Sequence, residues 1–290
     1  MKWRILALTA LSSAVLIGSV VVAGLGGASS GMGPDRRGPT GPHVAMPRAG
    51  ATRCRVIPDT SSATPPPLLA VIGASFTAGT GAPRLADSWA VRLAELIRWR
   101  AVTFGVPGAG YTEPGFGDLG PVSSEVDRVR LARLHPSVVV IQAGHDDWRV
   151  PRAAEANRVA ALVRRLRADV PAARLAFLTV FSRPGESTTV TRGELRTDSA
   201  IVSAVRKVDP QAIVIDPLRH HWRFPRARGG LHPTARGHLV IAERVARALV
   251  KAGVVAAAAN RPSPAGVTCV RLGAATGSLP SLKKPQKFIH

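Results

Sequence analysis

Two residues of this chain carry reactive groups in settings that sharpen them. Ser75 stands in Gly73-Ala74-Ser75-Phe76-Thr77-Ala78-Gly79-Thr80-Gly81, directly after the apolar run Leu68 to Gly73. A hydroxyl at a tight, glycine-flanked turn from strand to helix stands clear of the sheet, and the backbone N–H groups of such a turn can hold an oxyanion. The alternative is a phosphate-binding loop, but the lysine of such a loop is absent. His232 stands in Gly229-Gly230-Leu231-His232-Pro233-Thr234-Ala235-Arg236-Gly237-His238, where Pro233 fixes the entry to a final helix. An imidazole there can reach across a strand end and take a proton from a hydroxyl. Either residue alone is as ordinary as a turn serine or a structural histidine. Together they point to nucleophilic chemistry.

Three further clusters come directly after apolar runs. Gly105-Val106-Pro107-Gly108-Ala109-Gly110-Tyr111-Thr112 lets a backbone N–H approach a ligand closely at Gly108 or Gly110, and reads equally as a plain glycine-rich turn. Gly144-His145-Asp146-Asp147-Trp148 crowds polar side chains at one place. It offers one histidine and two carboxylates to a metal, but no partner histidine is spaced for zinc, and helix capping by Asp146 or Asp147 is the stronger alternative. Asp216-Pro217 and His220-His221-Trp222 precede the His232 segment. No metal is expected.

These groups must be positioned by elements that alternate along the chain. Leu68 to Gly73 reads as a buried strand, and Ala101 to Val106, Ser137 to Ala143, Arg174 to Phe181 and Ala212 to Asp216 as four more. Between them lie helical stretches: Asp87 to Arg98, Ser123 or Ser124 to Leu134, Ala153 to Ala168, and Thr197 to Lys207, with a last one from Thr234 to Ala252. Alternation of this kind calls for five parallel strands covered on both faces by helices, with ligands beyond the carboxyl ends of the strands.

The 290 residues give one domain with a sizeable core, or two small ones. Lys2 and Arg4 precede an apolar run from Ile5 to about Leu25, long enough to span a bilayer or to serve as a signal peptide. Residues 1–29 are therefore expected to be a signal peptide or N-terminal membrane anchor. This places the rest of the chain outside the cytoplasm, either secreted or tethered to the plasma membrane. Residues 30–67, rich in Pro, Gly, Ser and Thr, read as a linker, 68–259 as the folded domain and 260–290 as a tail. In an exported protein the only two cysteines, Cys54 and Cys269, read as a disulfide clipping the two ends together. The net charge of +21 draws such a surface to acidic polymers or anionic lipid, or reflects solvated arginine-rich helices. No nucleic-acid-binding pattern is present, and a monomer is expected.

The blocks, in this order, resemble the SGNH (GDSL-like) hydrolase family across about residues 68 to 252. Gly73-Ala74-Ser75 is similar to the family's Gly-Asp-Ser nucleophile block, and Gly108 lies in a segment that resembles its oxyanion glycine block. Gly144-His145-Asp146-Asp147 resembles Gly-x-Asn-Asp, and Leu231-His232-Pro233 the final Asp-x-x-His-Pro block. The resemblance implies a flavodoxin-like three-layer α/β/α sandwich with a parallel five-stranded sheet. It also implies ester hydrolysis through a serine acyl-enzyme without metal or cofactor. Ser75 would then be the nucleophile and His232 the base, with the N–H groups of Ser75 and Gly108 holding the oxyanion.

Two departures stand out. Gly229 occupies the position of the family's aspartate; Asp216 is the candidate substitute for orienting His232, with Asp146 and Asp147 in reserve, and Asp216→Asn is expected to cost more activity than Asp147→Asn. Asp146 occupies the asparagine position, where an ionised carboxylate repels an oxyanion. His145 turned inward as a donor, or Asp146 orienting His232, are the two ways round this. The expected function is an extracytoplasmic esterase acting on O-acyl groups, acetyl among them, of an envelope glycan, lipid or small ester. The alternatives are a degenerate relative that binds glycan or lipid without turnover, and a basic anchoring protein for acidic polymers.

Overall fold

Every residue from Leu68 to Gly73 is buried, and alternate side chains enter different cores. Leu68, Ala70 and Ile72 join one apolar cluster; Leu69 and Val71 join the other. A run that is apolar at every position can do this only as a strand covered on both faces. In the computed structural model, residues 50–57, 65–183, 188–256 and 266–272 are described, and all belong to one compact unit.

Seven strands form a single sheet: β1 (Ala51–Ile57), β2 (Leu68–Gly73), β3 (Arg100–Gly105), β4 (Val138–Gln142), β5 (Arg174–Leu178), β6 (Ile213–Ile215) and β7 (Gly266–Leu272). Their order is β6-β5-β4-β2-β3-β1-β7. The run from β6 to β3 is parallel, whereas β1 lies antiparallel to β3 and β7 antiparallel to β1.

Helices α1 (Trp89–Ile97) and α6 (Ala235–Lys251) cover the face that holds Leu69 and Val71. Helices α2 (Val122–Val129), α4 (Arg152–Asp169) and α5 (Thr188–Val208) cover the opposite face. A single helical stretch was expected ahead of β4. It breaks at Arg130, whose φ is +54°, into α2 and the one-turn α3 (Leu131–Leu134). Ser88 caps α1 by accepting from the Val91 N–H at 3.4 Å. Asp87, where the helical stretch is expected to begin, pairs with Arg84 and Arg92.

The expectation of five parallel strands is corrected to a mixed sheet of seven. The two added strands come from segments read as linker and tail. The linker reading rested on Pro, Gly and Ser content, yet in Ala51–Ile57 Cys54 and Val56 point into the core while Arg55 points out. This period-two pattern marks a half-buried strand. Cys54 faces Cys269 directly across the β1–β7 pair, and the two form the expected disulfide. The expected export segment lies outside the described residues. Among the described residues no helix is long and apolar enough to cross a membrane.

Candidate active site

The parallel strands β2, β3 and β4 deliver the turns at their ends to one rim of the sheet. The turn after β2 is wound tightly by Ala78 N–H donating to Ala74 O at 2.9 Å and Thr80 N–H to Ser75 O at 3.0 Å. It is braced from β4: Gln142 Oε1 accepts from Thr77 N–H at 3.2 Å and from Thr77 Oγ1 at 2.9 Å. Ser75 is thereby held on a rigid turn, 8% exposed.

His232 comes from the loop before α6. Its Nε2 lies 2.9 Å from Ser75 Oγ, across 157 residues of sequence. Burial, then the nearby guanidinium groups of Arg183 and Arg226, push its pKa from 6.5 down to about 4. The imidazole is neutral at pH 7 and can accept the serine proton at Nε2. Beside it, His238 is a structural staple. Its Nδ1 accepts from the Trp89 N–H at 3.1 Å, so its Nε2 carries the hydrogen that meets Thr80 O at 3.2 Å. These bonds tie α6 to α1 and to the Ser75 turn.

No carboxylate orients His232 among the described residues. Gly229 lies exposed in a turn. Asp216 Oδ1 accepts from the Arg219 N–H at 2.7 Å and thus caps its own turn at the end of β6. The structure does not bring Asp216 to His232. Asp147 is fully buried and spoken for: its carboxylate accepts from the N–H groups of Tyr111, Thr112 and Glu113 at 2.7, 3.0 and 3.1 Å. It thus pins the loop after β3, and Gly110 lies so close that a Cβ there would sit 2.3 Å from the carboxylate oxygens.

That pinned loop carries Gly108, whose φ of +77° is the left-handed conformation that glycine adopts without strain. Neither the Ser75 N–H nor the Gly108 N–H donates to any group among the described residues. Two unused donors therefore stand at the ends of β2 and β3. Asp146, half-buried, shares a hollow of about 310 Å³ with Gly108, Glu113, Pro114, Gly115 and Phe116. Burial, then the neighbouring Asp147 and Glu113, push its pKa up to about 6 against the pull of Arg183. One of its oxygens is buried without a hydrogen-bond partner among the described residues.

His145 makes no hydrogen bond to Ser75 among the described residues. It is buried, and its Nε2 accepts from Arg183 Nε at 2.6 Å. Burial and that guanidinium hold its pKa well below the ordinary histidine value. The bond uses Nε2 as an acceptor, and Nδ1 is buried without a hydrogen-bond partner among the described residues. Sequence reasoning missed Arg183, Arg226, Gln142 and Thr77. Only Gln142 carried a signal, as a polar residue closing an otherwise apolar strand. Among the described residues no group of three or more His, Cys, Asp or Glu side chains could hold a metal.

A three-layer α/β domain that holds a hydroxyl against a neutral imidazole at its strand ends is the frame of an ester hydrolase. The chain belongs to the GDSL-like lipase/acylhydrolase family, whose sequence model matches residues 71–240. No curated protein matches it. Solved structures share the fold. One is a carbohydrate esterase family 2 enzyme with a carbohydrate-binding domain from Corynascus thermopiles (Myceliophthora fergusii), at TM-score 0.54 and 19% identity over 66% of this chain and 68% of that one. Another is a family two carbohydrate esterase from Clostridium thermocellum in complex with cellohexaose, at TM-score 0.51 and 18% identity over 66% of each chain. A third, from Cellvibrio japonicus, gives TM-score 0.53 and 16% identity over 65% of this chain and 62% of that one. The chain thus spans about two thirds of each.

Proposed function

We propose that this chain is an extracytoplasmic serine esterase that removes O-acyl groups, acetyl among them, from an envelope glycan, lipid or small ester. The observation that carries the reading is the 2.9 Å approach of Ser75 Oγ to the Nε2 of a neutral His232. Ser75 Oγ attacks the ester carbonyl carbon while His232 Nε2 takes its proton. The N–H groups of Ser75 and Gly108 receive the developing oxyanion. The tetrahedral adduct collapses, the imidazolium returns its proton to the leaving alcohol oxygen, and water repeats the sequence on the acyl-serine. With no orienting carboxylate among the described residues this is a Ser–His dyad, and the imidazolium forms beside two guanidinium groups.

Export rests on the charged and apolar N-terminal sequence and on the disulfide, a bond that persists in oxidising compartments. Residues 1–29 would act as signal or anchor.

Labelling with a fluorophosphonate, together with turnover of 4-nitrophenyl acetate, tests the reading. Wild type labels and turns over, and Ser75→Ala does neither, with turnover down at least about 10³-fold. An unlabelled wild type without turnover overturns it in favour of a glycan- or lipid-binding relative. The missing orienting carboxylate and the carboxylate of Asp146 in the oxyanion region favour that second reading.

A further inference from the structure

The loop that delivers His232 also builds a cationic hollow next to it. Arg226, half-buried in this loop, donates from Nη1 to Leu231 O and from Nη2 to Ser182 O, both at 2.6 Å. Its guanidinium carbon lies 4.3 Å over the Phe224 ring. Residue 226 also pairs with Pro233 as a bridge, so it is directly alongside His232 in the fold. The hollow beside it measures about 470 Å³ and is lined by Ser182, His221, Trp222, Arg223, Phe224 and Arg226. That lining holds two guanidinium groups, an imidazole and two aromatic rings, and no carboxylate.

The neighbouring charges reinforce this. Arg183 is answered by the buried Glu194 at 2.9 Å. Arg223 is exposed, and among the described residues its side chain makes no hydrogen bond or ion pair. Arg244 lies 5.2 Å over the Trp222 ring, adding a further cation on that side. A free guanidinium presents a planar fork that takes a carboxylate or phosphate through two hydrogen bonds. Trp222 adds an apolar face against which the C–H side of a sugar ring can pack.

We propose that this hollow is an anion subsite, and that the ester taken by the Ser75–His232 site is carried on an anionic glycan, with a carboxylate or phosphate near the acylated hydroxyl. This deepens and rests on the esterase reading above. The two sources of the anion, a polyuronate and a sugar-phosphate polymer, share the chemistry and are separated by the substrates used.

The full chain is assayed on O-acetylated polyuronate, an O-acetylated glycerol phosphate polymer, O-acetylated xylan as the neutral polymer, and 4-nitrophenyl acetate. The expected result is a KM at least about tenfold lower on one of the anionic polymers than on xylan at 50 mM salt, an advantage that shrinks at 500 mM. Arg223→Ala lowers the anionic-to-neutral ratio of kcat/KM by about tenfold through KM, while Arg223→Lys restores part of it. Arg158→Ala, which removes an exposed charge on α4, leaves the ratio as it is. Equal KM values on neutral and anionic polymers, or equal loss of the ratio in Arg158→Ala and Arg223→Ala, overturn the subsite. Calorimetric binding of the deacetylated anionic polymers to Ser75→Ala, with and without Arg223→Ala, reads the subsite without turnover. Binding lost with Arg223 supports it, and no binding refutes it. Failure on 4-nitrophenyl acetate alone strikes only the esterase reading.

Discussion

The pH profile tests the reactive pair most directly, because His232, and Asp146 in the Gly108 hollow, are pushed far from their ordinary values. A base with a pKa of 6.5 is about 3% neutral at pH 5, whereas His232, pushed to about 4, is about 90% neutral there. Lowering the pH from 7 to 5 therefore costs almost none of the working imidazole, and the acid limb of kcat/KM falls near 4. Asp146 works from the other side. With its pKa pushed up to about 6, it is neutral below that value and places a negative charge in the Gly108 hollow above it. A carboxylate beside the unused Gly108 N–H opposes oxyanion formation, so kcat/KM falls as pH rises through 6. The expected profile is a bell with its maximum near pH 5, measured with a small neutral ester in a pH-stat. Asp146→Asn removes the upper limb and leaves the lower one in place. An acid limb near 6.5, or an upper limb that survives Asp146→Asn, refutes this assignment of the two groups.

The carboxylates at the other strand ends give a second contrast. Asp147→Asn replaces one of two carboxylate oxygens that accept from three backbone N–H groups with an NH2 that cannot accept; it is expected to cost about 1–3 kcal/mol in a urea titration and to lower kcat by loosening the Gly108 loop, whereas Asp216→Asn keeps its turn cap and changes kcat less than about twofold. This reverses the order expected from sequence, and a larger loss in the Asp216 variant would restore that order. Glu155, fully buried, has its pKa pushed from 4.5 up to about 8 by burial and then Asp147. The unfolded chain therefore releases this proton before the folded one does. The folded state loses stability as pH rises from about 4.5 to 8, by roughly 1.4 kcal/mol per pH unit at most. Glu155→Gln should flatten the fall of Tm across that range, and an unchanged slope would rule out this source. Reducing the Cys54–Cys269 bond, which closes 215 residues of separation, should lower stability by up to about 5 kcal/mol while turnover of a small ester at 25 °C persists. An unchanged Tm on reduction counts against it.

Much of the parallel core was legible because Leu68–Gly73 and Val138–Gln142 are buried along their whole length and almost wholly apolar, which only strands with two covered faces tolerate. Ser75 and His232 were legible as a pair because each sits in a recognisable turn at a strand or helix end. The edge strands were hidden by composition. The segment around β1 is rich in Pro, Ser and Thr, and the alternation that marks the strand spans only seven residues. The partners of the site were hidden for a different reason. Arg183 and Arg226 belong to a background of abundant arginine, and only the fold shows that their charges converge on His232. Asp147 and Asp216 are equally plausible in sequence as orienting acids. The difference between them lies in which backbone N–H groups each meets, and that depends on how the loop after β3 folds back.

The bond between the outermost strand and its neighbour encloses the catalytic loops within a covalent ring. A protease that nicks one of those loops leaves a single molecule, since the fragments stay linked through Cys54 and Cys269. Such a protein would migrate intact on a non-reducing gel and fall into two pieces only when a thiol is added. Wherever reductants are scarce, that is resistance to fragmentation rather than to cleavage.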